Sequence, residues 1–166
     1  MDRRERARGR GRRPVSTPDG SRVSPPARRV VLAEVRTAPV DVAECAAAVE
    51  DAAAGAVVTF GGVVRNHDLG RPVTGIEYVG HPGAGDVVKQ VAADVAVRFP
   101  VDAIAVVHRV GTLGVGDVAL AAAVSAAHRA EAFEATAELV EEIKKRLPVW
   151  KRQVFPDGSH EWTGSA

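Results

Sequence analysis

The chain has 166 residues, enough for one domain with its own core. A single cysteine, Cys45, excludes an intrachain disulfide and fits a reducing cytoplasm, and no apolar run is long enough to span a bilayer. The formal net charge of +1 hides a split: residues 1–29 hold ten arginines against three acids, whereas residues 30–166 hold twelve Lys or Arg against eighteen Asp or Glu.

Residues 1–29 carry almost no apolar side chains and several Pro and Gly, so they read as a disordered Arg-rich tail ahead of one domain over 30–166. No apolar stretch follows the arginines, so the start does not read as a secretory signal. Val30 to Arg36 predicts a first strand. Pro39 and Asp41 open a helix, with Asp41 and Glu44 spaced as a capping box and Gly55 as its end. Cys45 lies on the apolar face of that helix and reads as a small buried hydrophobe. Ala56 to Val64 predicts an apolar strand interrupted by Gly61-Gly62, and Val73 to Val79 its return strand. Asp86 is placed as the cap of a second helix that carries Val87, Val88, Val91 and Val95 and ends before Pro100. Ala103 to His108 and Val118 to Val124 predict a hairpin joined through Gly111 to Gly116. A long helix follows from His128 to Leu147, Pro148 stops it, and an extended segment runs through Trp150 to a turn at Asp157-Gly158. Helices mixed with antiparallel hairpins predict an α+β fold, a single domain of largely antiparallel sheets with helices packed on them.

Three basic clusters stand outside the tail. Arg65 begins a polar loop after Phe60-Gly61-Gly62. His128 and Arg129 open the long helix, where free backbone N–H groups favour anions. Lys144 and Lys151 flank the break at Pro148. At about 100° per residue Lys144 falls within roughly 20° of Phe133, on a stripe with Ala137, Val140 and Leu147. A lysine there either serves a pocket or complements the dipole at the helix end. Cations gathered in an otherwise acidic domain point to an anionic ligand such as a phosphate, and equally to surface ion pairs. The five histidines lack zinc spacing, and the glycines form neither a P-loop nor a dinucleotide fingerprint, so no metal or cofactor is expected. Strict alternation puts Phe60 and Arg65 on opposite faces of their strand, and a bulge at Gly61-Gly62 is needed to bring them together.

Read together, GAVVTFGGVVRNHDLG (55–70), GIEYVGHPG (75–83), HRVGTLGVGD (108–117), SAAHRAEAFEA (125–135), IKKRLPVWKRQ (143–153) and DGSHEW (157–162) resemble the large, catalytic subunit of molybdopterin synthase. The resemblance covers about residues 30–163. It implies a hammerhead-like α/β fold and a cytoplasmic sulfurtransferase of molybdenum cofactor biosynthesis. Its partner would be a small ubiquitin-like sulfur carrier ending in a Gly-Gly thiocarboxylate, and its substrate cyclic pyranopterin monophosphate, converted to the dithiolene of molybdopterin. It further implies Lys144 and Lys151 as catalytic lysines, Arg65, His128 and Arg129 as anion and pterin contacts, Phe60 as a pocket wall, and a homodimer within a heterotetramer. His128 and Arg129 would then serve the neighbouring subunit's pocket. His81 and Ala84 depart from the family's aromatic residue and methionine, which bears on partner docking and loop rigidity. Two other readings are a catalytically idle paralogue that binds the carrier, and a nucleic-acid-binding protein using the basic tail. The second lacks an aromatic set on which bases would stack, so neither nucleic acid nor a membrane is expected as partner.

Overall fold

The computed structural model describes residues 22–164. In chain order these form β1 (Arg29–Arg36), α1 (Val42–Ala48), β2 (Ala56–Val63), β3 (His67–Asp68), β4 (Arg71–Pro72), β5 (Gly75–Gly80), α2 (Ala84–Arg98), β6 (Val101–Arg109), β7 (Gly111–Gly114), β8 (Val118–Ala126), α3 (Arg129–Arg146), β9 (Val149–Val154) and β10 (His160–Thr163). The fold is α+β, as the mixture of helical and alternating patterns predicts.

The antiparallel pair β6–β8 forms the centre of a four-stranded sheet of order β1-β6-β8-β2, in which only β1 and β6 run parallel. Both strands are buried along nearly their whole length, which is why they read as continuous apolar runs. Their two faces differ in bulk. Ala103, Ala105, Ala121 and Ala123 face α1 with Cys45 and Val49, so small side chains let a short helix lie close. Ile104, Val106, Leu120 and Val124 face α2 and α3, against Val91, Val95, Leu139 and Ile143. Burial pushes the Cys45 thiol up to about 11, so it is an inert filler there.

A second sheet, order β10-β9-β5-β7, is antiparallel throughout and covers a smaller core of Val64, Val73, Ile76, Leu113, Ala119 and Phe155. The predicted return strand therefore does not pair with β2. It becomes β5 and joins β7 and β9 instead, because β8 already occupies the inner edge of β2. The predicted hairpin of β6 and β8 is present, but its connection contributes β7 to the second sheet.

Helix ends account for the other differences. Asp41 caps α1 by accepting from Ala43 N at 2.8 Å, while Glu44 leaves the capping box to pair with Arg36. α1 ends at Ala48, well before Gly55. Gly55 belongs to the entry of β2, where a Cβ would lie 2.6 Å from Ala127 O. Gly83 occupies the cap position of α2, and Asp86 sits in its first turn.

The expected disorder of the Arg-rich segment falls largely on residues 1–21, outside the described residues. Residues 22–28 form a strap on the domain. The Arg22 guanidinium pairs with Asp102, whose side chain is 1% exposed at the start of β6. Arg28 donates to Ala96 O, Val97 O and Phe99 O, each at 2.7 Å, satisfying carbonyls at the end of α2 that have no helical partner. Arg22→Met is expected to cost about 3 kcal/mol in urea unfolding, because it strands a buried carboxylate. Adding Asp102→Leu should recover most of that loss. An unchanged midpoint in the single variant would show that Asp102 does not need the strap.

His108, 1% exposed on β6, donates from Nδ1 to Arg109 O at 2.8 Å and meets the Tyr78 ring edge-on at 5.1 Å. Burial pushes its imidazole below the ordinary value, against the smaller opposing effect of that hydrogen bond. The unfolded chain, with a histidine near pH 6.5, then binds more protons than the folded one once the pH drops below that value. Stability is therefore expected to be level above about pH 6.5 and to fall as the pH drops below it, by at most about 1.4 kcal/mol per pH unit from this group. Urea titrations of wild type and His108→Gln across this range check it: the variant's slope should be flatter.

Candidate active site

α3 cannot continue past Leu147, because Pro148 lacks an N–H and its ring disfavours helical backbone at the residue before it. Leu147 is extended (φ −70°, ψ 119°), and Val149 at once begins β9 against Gly80 of β5. The break is clamped from the other side: His81 N donates to Pro148 O at 2.9 Å, and His81 Nδ1 accepts from Gly83 N at 2.9 Å. His81 thus ties the turn into α2 to the connection that separates the two lysines.

Both lysines reach one cleft of about 280 Å³. Lys144 comes from the last turn of α3. Lys151 and Gln153 come from the face of β9 that also carries buried Val149. Phe60 and Arg65 line the same cleft. The expected bulge at Gly61-Gly62 is not what does this: β2 alternates without interruption to its end at Val63, the extra residue at the register irregularity is Ala119 on β8, and Arg65 lies two residues past the strand, where its alternation no longer applies. Gly62 has a packing reason, since a Cβ there would meet the Phe60 ring at 3.3 Å.

The expected apolar stripe on α3 needs correction. Its buried face is Ala132, Ala135, Thr136, Leu139, Val140 and Ile143, whereas Phe133 is 61% exposed and Lys144 is exposed. Phe133 and Lys144 do share a side, but it is the flank of the helix rather than its core face. Small Ala132 and Ala135, not the larger Phe133, mark the side that approaches the sheet. Lys144 reaches the cleft from that flank without entering the core.

His128 and Arg129 do not join these residues within the chain. Fifteen positions separate Arg129 from Lys144, roughly 22 Å along the helix axis. Both are exposed, and His128 lines a separate cavity of about 510 Å³ together with Arg22 and Arg28 of the strap.

The cleft also holds residues that periodicity did not single out. Asp68 accepts from Arg65 Nη2 at 2.7 Å and from Gln153 Nε2 at 2.6 Å. Tyr78 and His108 form part of the wall. Burial raises the Tyr78 phenol above its ordinary value, so it stays protonated there. The alternation of β5 and β9 was enough to put Tyr78 and Gln153 on an inner face. Their convergence with β6 and β3 is a matter of sheet pairing that local pattern does not carry. Among the described residues no group of His, Cys, Asp and Glu is placed to hold a metal ion. Among the described residues no helix is long and apolar enough to cross a membrane.

The comparisons with known proteins agree with this architecture. The family model described as MoaE protein matches residues 35–146. The molybdopterin synthase catalytic subunit of Nostoc sp. is 39% identical over 75% of this chain and 77% of its own length. That of Pyrococcus abyssi is 40% identical over 71% and 80%. The crystal structure of molybdopterin synthase from Staphylococcus aureus superposes with a TM-score of 0.74 at 30% identity, over 80% of this chain and 96% of that one. The matched region runs from β1 to the last turn of α3 and so contains Phe60, Arg65 and Lys144 within one inherited framework: this chain belongs to the MoaE family.

Proposed function

We propose that this chain is the catalytic subunit of a molybdopterin synthase. In this reading it transfers sulfur from the C-terminal thiocarboxylate of a small Gly-Gly-ended carrier protein to cyclic pyranopterin monophosphate. The observation that carries the proposal is the convergence of Phe60, Arg65, Lys144 and Lys151 on one cleft. The names of the relatives supply the reaction class.

Each transfer exchanges one sulfur for one oxygen. On the pterin side chain a C–S bond forms and a C–O bond breaks; on the carrier the C–S bond breaks and a C–O bond replaces it, so the carrier returns as a carboxylate, with no net oxidation. The step needs charge neutralisation for two anionic reactants and a proton for the departing oxygen. Arg65 and the two lysines supply the positive charge. The lysines approach from two rigid elements, one helical and one extended, so a reacting carbon held between them meets an ammonium on either side. Phe60 gives the pterin ring an apolar wall. His128 and Arg129 act in the neighbouring subunit's cleft, since one straight helix keeps them far from their own chain's lysines.

Lys144→Ala and Lys151→Ala are each expected to lower dithiolene formation at least about a hundredfold with thiocarboxylated carrier and pterin precursor, with little effect on unfolding. Lys145→Ala, whose ammonium pairs with Glu142 at 3.6 Å on the outside of the helix, should retain most activity. Wild-type turnover in the Lys144 and Lys151 variants would sink the assignment.

The shared site has its own test. Arg129→Ala and Lys144→Ala proteins, each inactive, should regain partial activity when mixed and allowed to exchange subunits. One cleft of the mixed dimer would carry both defects and the other neither. Failure to recover, with exchange verified by mass, would place Arg129 in its own chain's site.

A further inference from the structure

Asp68 is the only carboxylate among the described residues that line the cleft, and its surroundings set it apart from an ordinary surface acid. One oxygen accepts from Arg65 Nη2 at 2.7 Å and the other from Gln153 Nε2 at 2.6 Å. Gln153 is 4% exposed, so its amide has few alternatives. These hydrogen bonds, Gln153 first and Arg65 next, hold the carboxyl below the usual range, and the charge of Lys151 adds to them. Asp68 therefore already occupies donors that an incoming oxyanion would need.

The carboxylate also rides on the smallest element of the fold. β3 and β4 form their own two-stranded ladder of two residue pairs, apart from both larger sheets. The turn between them places Leu69 (φ 47°) and Gly70 (φ 76°) in left-handed backbone, the geometry of a tight two-residue hairpin. Leu69 is 95% exposed at the tip, so little packing opposes displacement on this side. The other strand is held by Arg71, which lies 3.6 Å above the Phe155 ring and pairs with Glu161 at 3.2 Å. A hairpin anchored through β4 lets β3 give way while its base stays closed by Val73 N–H to Asn66 O at 2.8 Å.

We propose that Asp68 is a resident anion of the cleft: its carboxylate holds Arg65 and Gln153 in place until an oxyanion of the substrate displaces it, and so sets how tightly and how selectively that oxyanion binds. The inference rests on the reading of the cleft as the site of an anionic ligand. The ligand chemistry is a phosphate or a terminal carboxylate. Asp68 acts on it through Arg65 and Gln153 and is a positioning residue rather than a catalytic one.

The test is calorimetric titration of the full chain with inorganic phosphate and, separately, with a short peptide ending in Gly-Gly. Asp68→Asn removes the charge at nearly constant shape and keeps one of the two acceptors, the other oxygen becoming an NH2 donor. It should bind the displacing anion about three- to fivefold more tightly than wild type, the size of a partly exposed charge pair. Asp68→Glu, which restores the charge, should return binding to wild-type strength. A gain confined to phosphate identifies the substrate's phosphate as the displacing group, and a gain confined to the peptide identifies the carrier's terminus. Arg65→Ala in the Asp68→Asn background should abolish the gain. Unchanged or weaker binding in Asp68→Asn, with binding still lost in Arg65→Ala, would overturn the role of Asp68 and leave the cleft as an anion site. Binding insensitive to both substitutions would overturn both readings.

Discussion

The cleft depends on one steric fact, the inability of α3 to pass Pro148. A helix that continued would carry residue 151 round the cylinder and away from the second sheet. Instead the chain turns from helix to strand within two residues, and Lys144 and Lys151 approach one space from different directions. The clamp from His81 to Pro148 makes this a fixed geometry rather than a hinge, and it links the break to the start of α2. His81 and, through its own hydrogen bond to His81 O, Ala84 therefore bear on the break through the backbone although they lie far from the lysines in sequence.

The basic cluster around the break divides by partner. Arg146 pairs with Asp94 and Glu142, and Arg152 with Glu77, all on surfaces turned away from the cleft. Lys151 and Gln153 take the alternate positions of β9 and face inward. The outward-facing arginines beside the break are thus each paired with an acid of the same domain. Asp68 is the one acid among the described residues that line the cleft. In its proposed role that single acid turns a fixed trap into one that exchanges one anion for another.

Much of the fold was legible because β6 and β8 are buried on both faces, and an unbroken apolar run needs no partner to be recognised. The end of α3 was legible for the same kind of reason, since proline acts locally. The phase of α3 was misread because Phe133 is the bulkiest apolar residue in its first turns, yet it stays exposed while alanines pack against the sheet. Close packing against the sheet favours the smallest side chains over the bulkiest one. The second sheet was illegible for another reason: β5, β7, β9 and β10 are short, and nothing local says which of them pair. Asp68 and Gln153 followed it into obscurity, since they meet only once β9 lies beside β5. The strap was missed because arginine content dominated its reading, whereas Arg22 and Arg28 are ordered by single partners, a buried carboxylate and a helix end.

Rigid and yielding parts of the site are segregated. The lysines stand on an 18-residue helix packed against the main sheet and on a strand paired on both sides. Phe60 and Arg65 follow from β2, whose ladder with β8 runs almost its full length. Against this frame only the β3–β4 hairpin lacks a place in a larger sheet. The proposed sulfur transfer, which would admit a protein terminus and a pterin phosphate and still hold their reacting atoms in place, needs both properties. Placing the displaceable charge on the hairpin and the ammonium groups on the frame satisfies the two demands with different residues. Substrate entry can then rearrange Asp68 without disturbing the distance between Lys144 and Lys151.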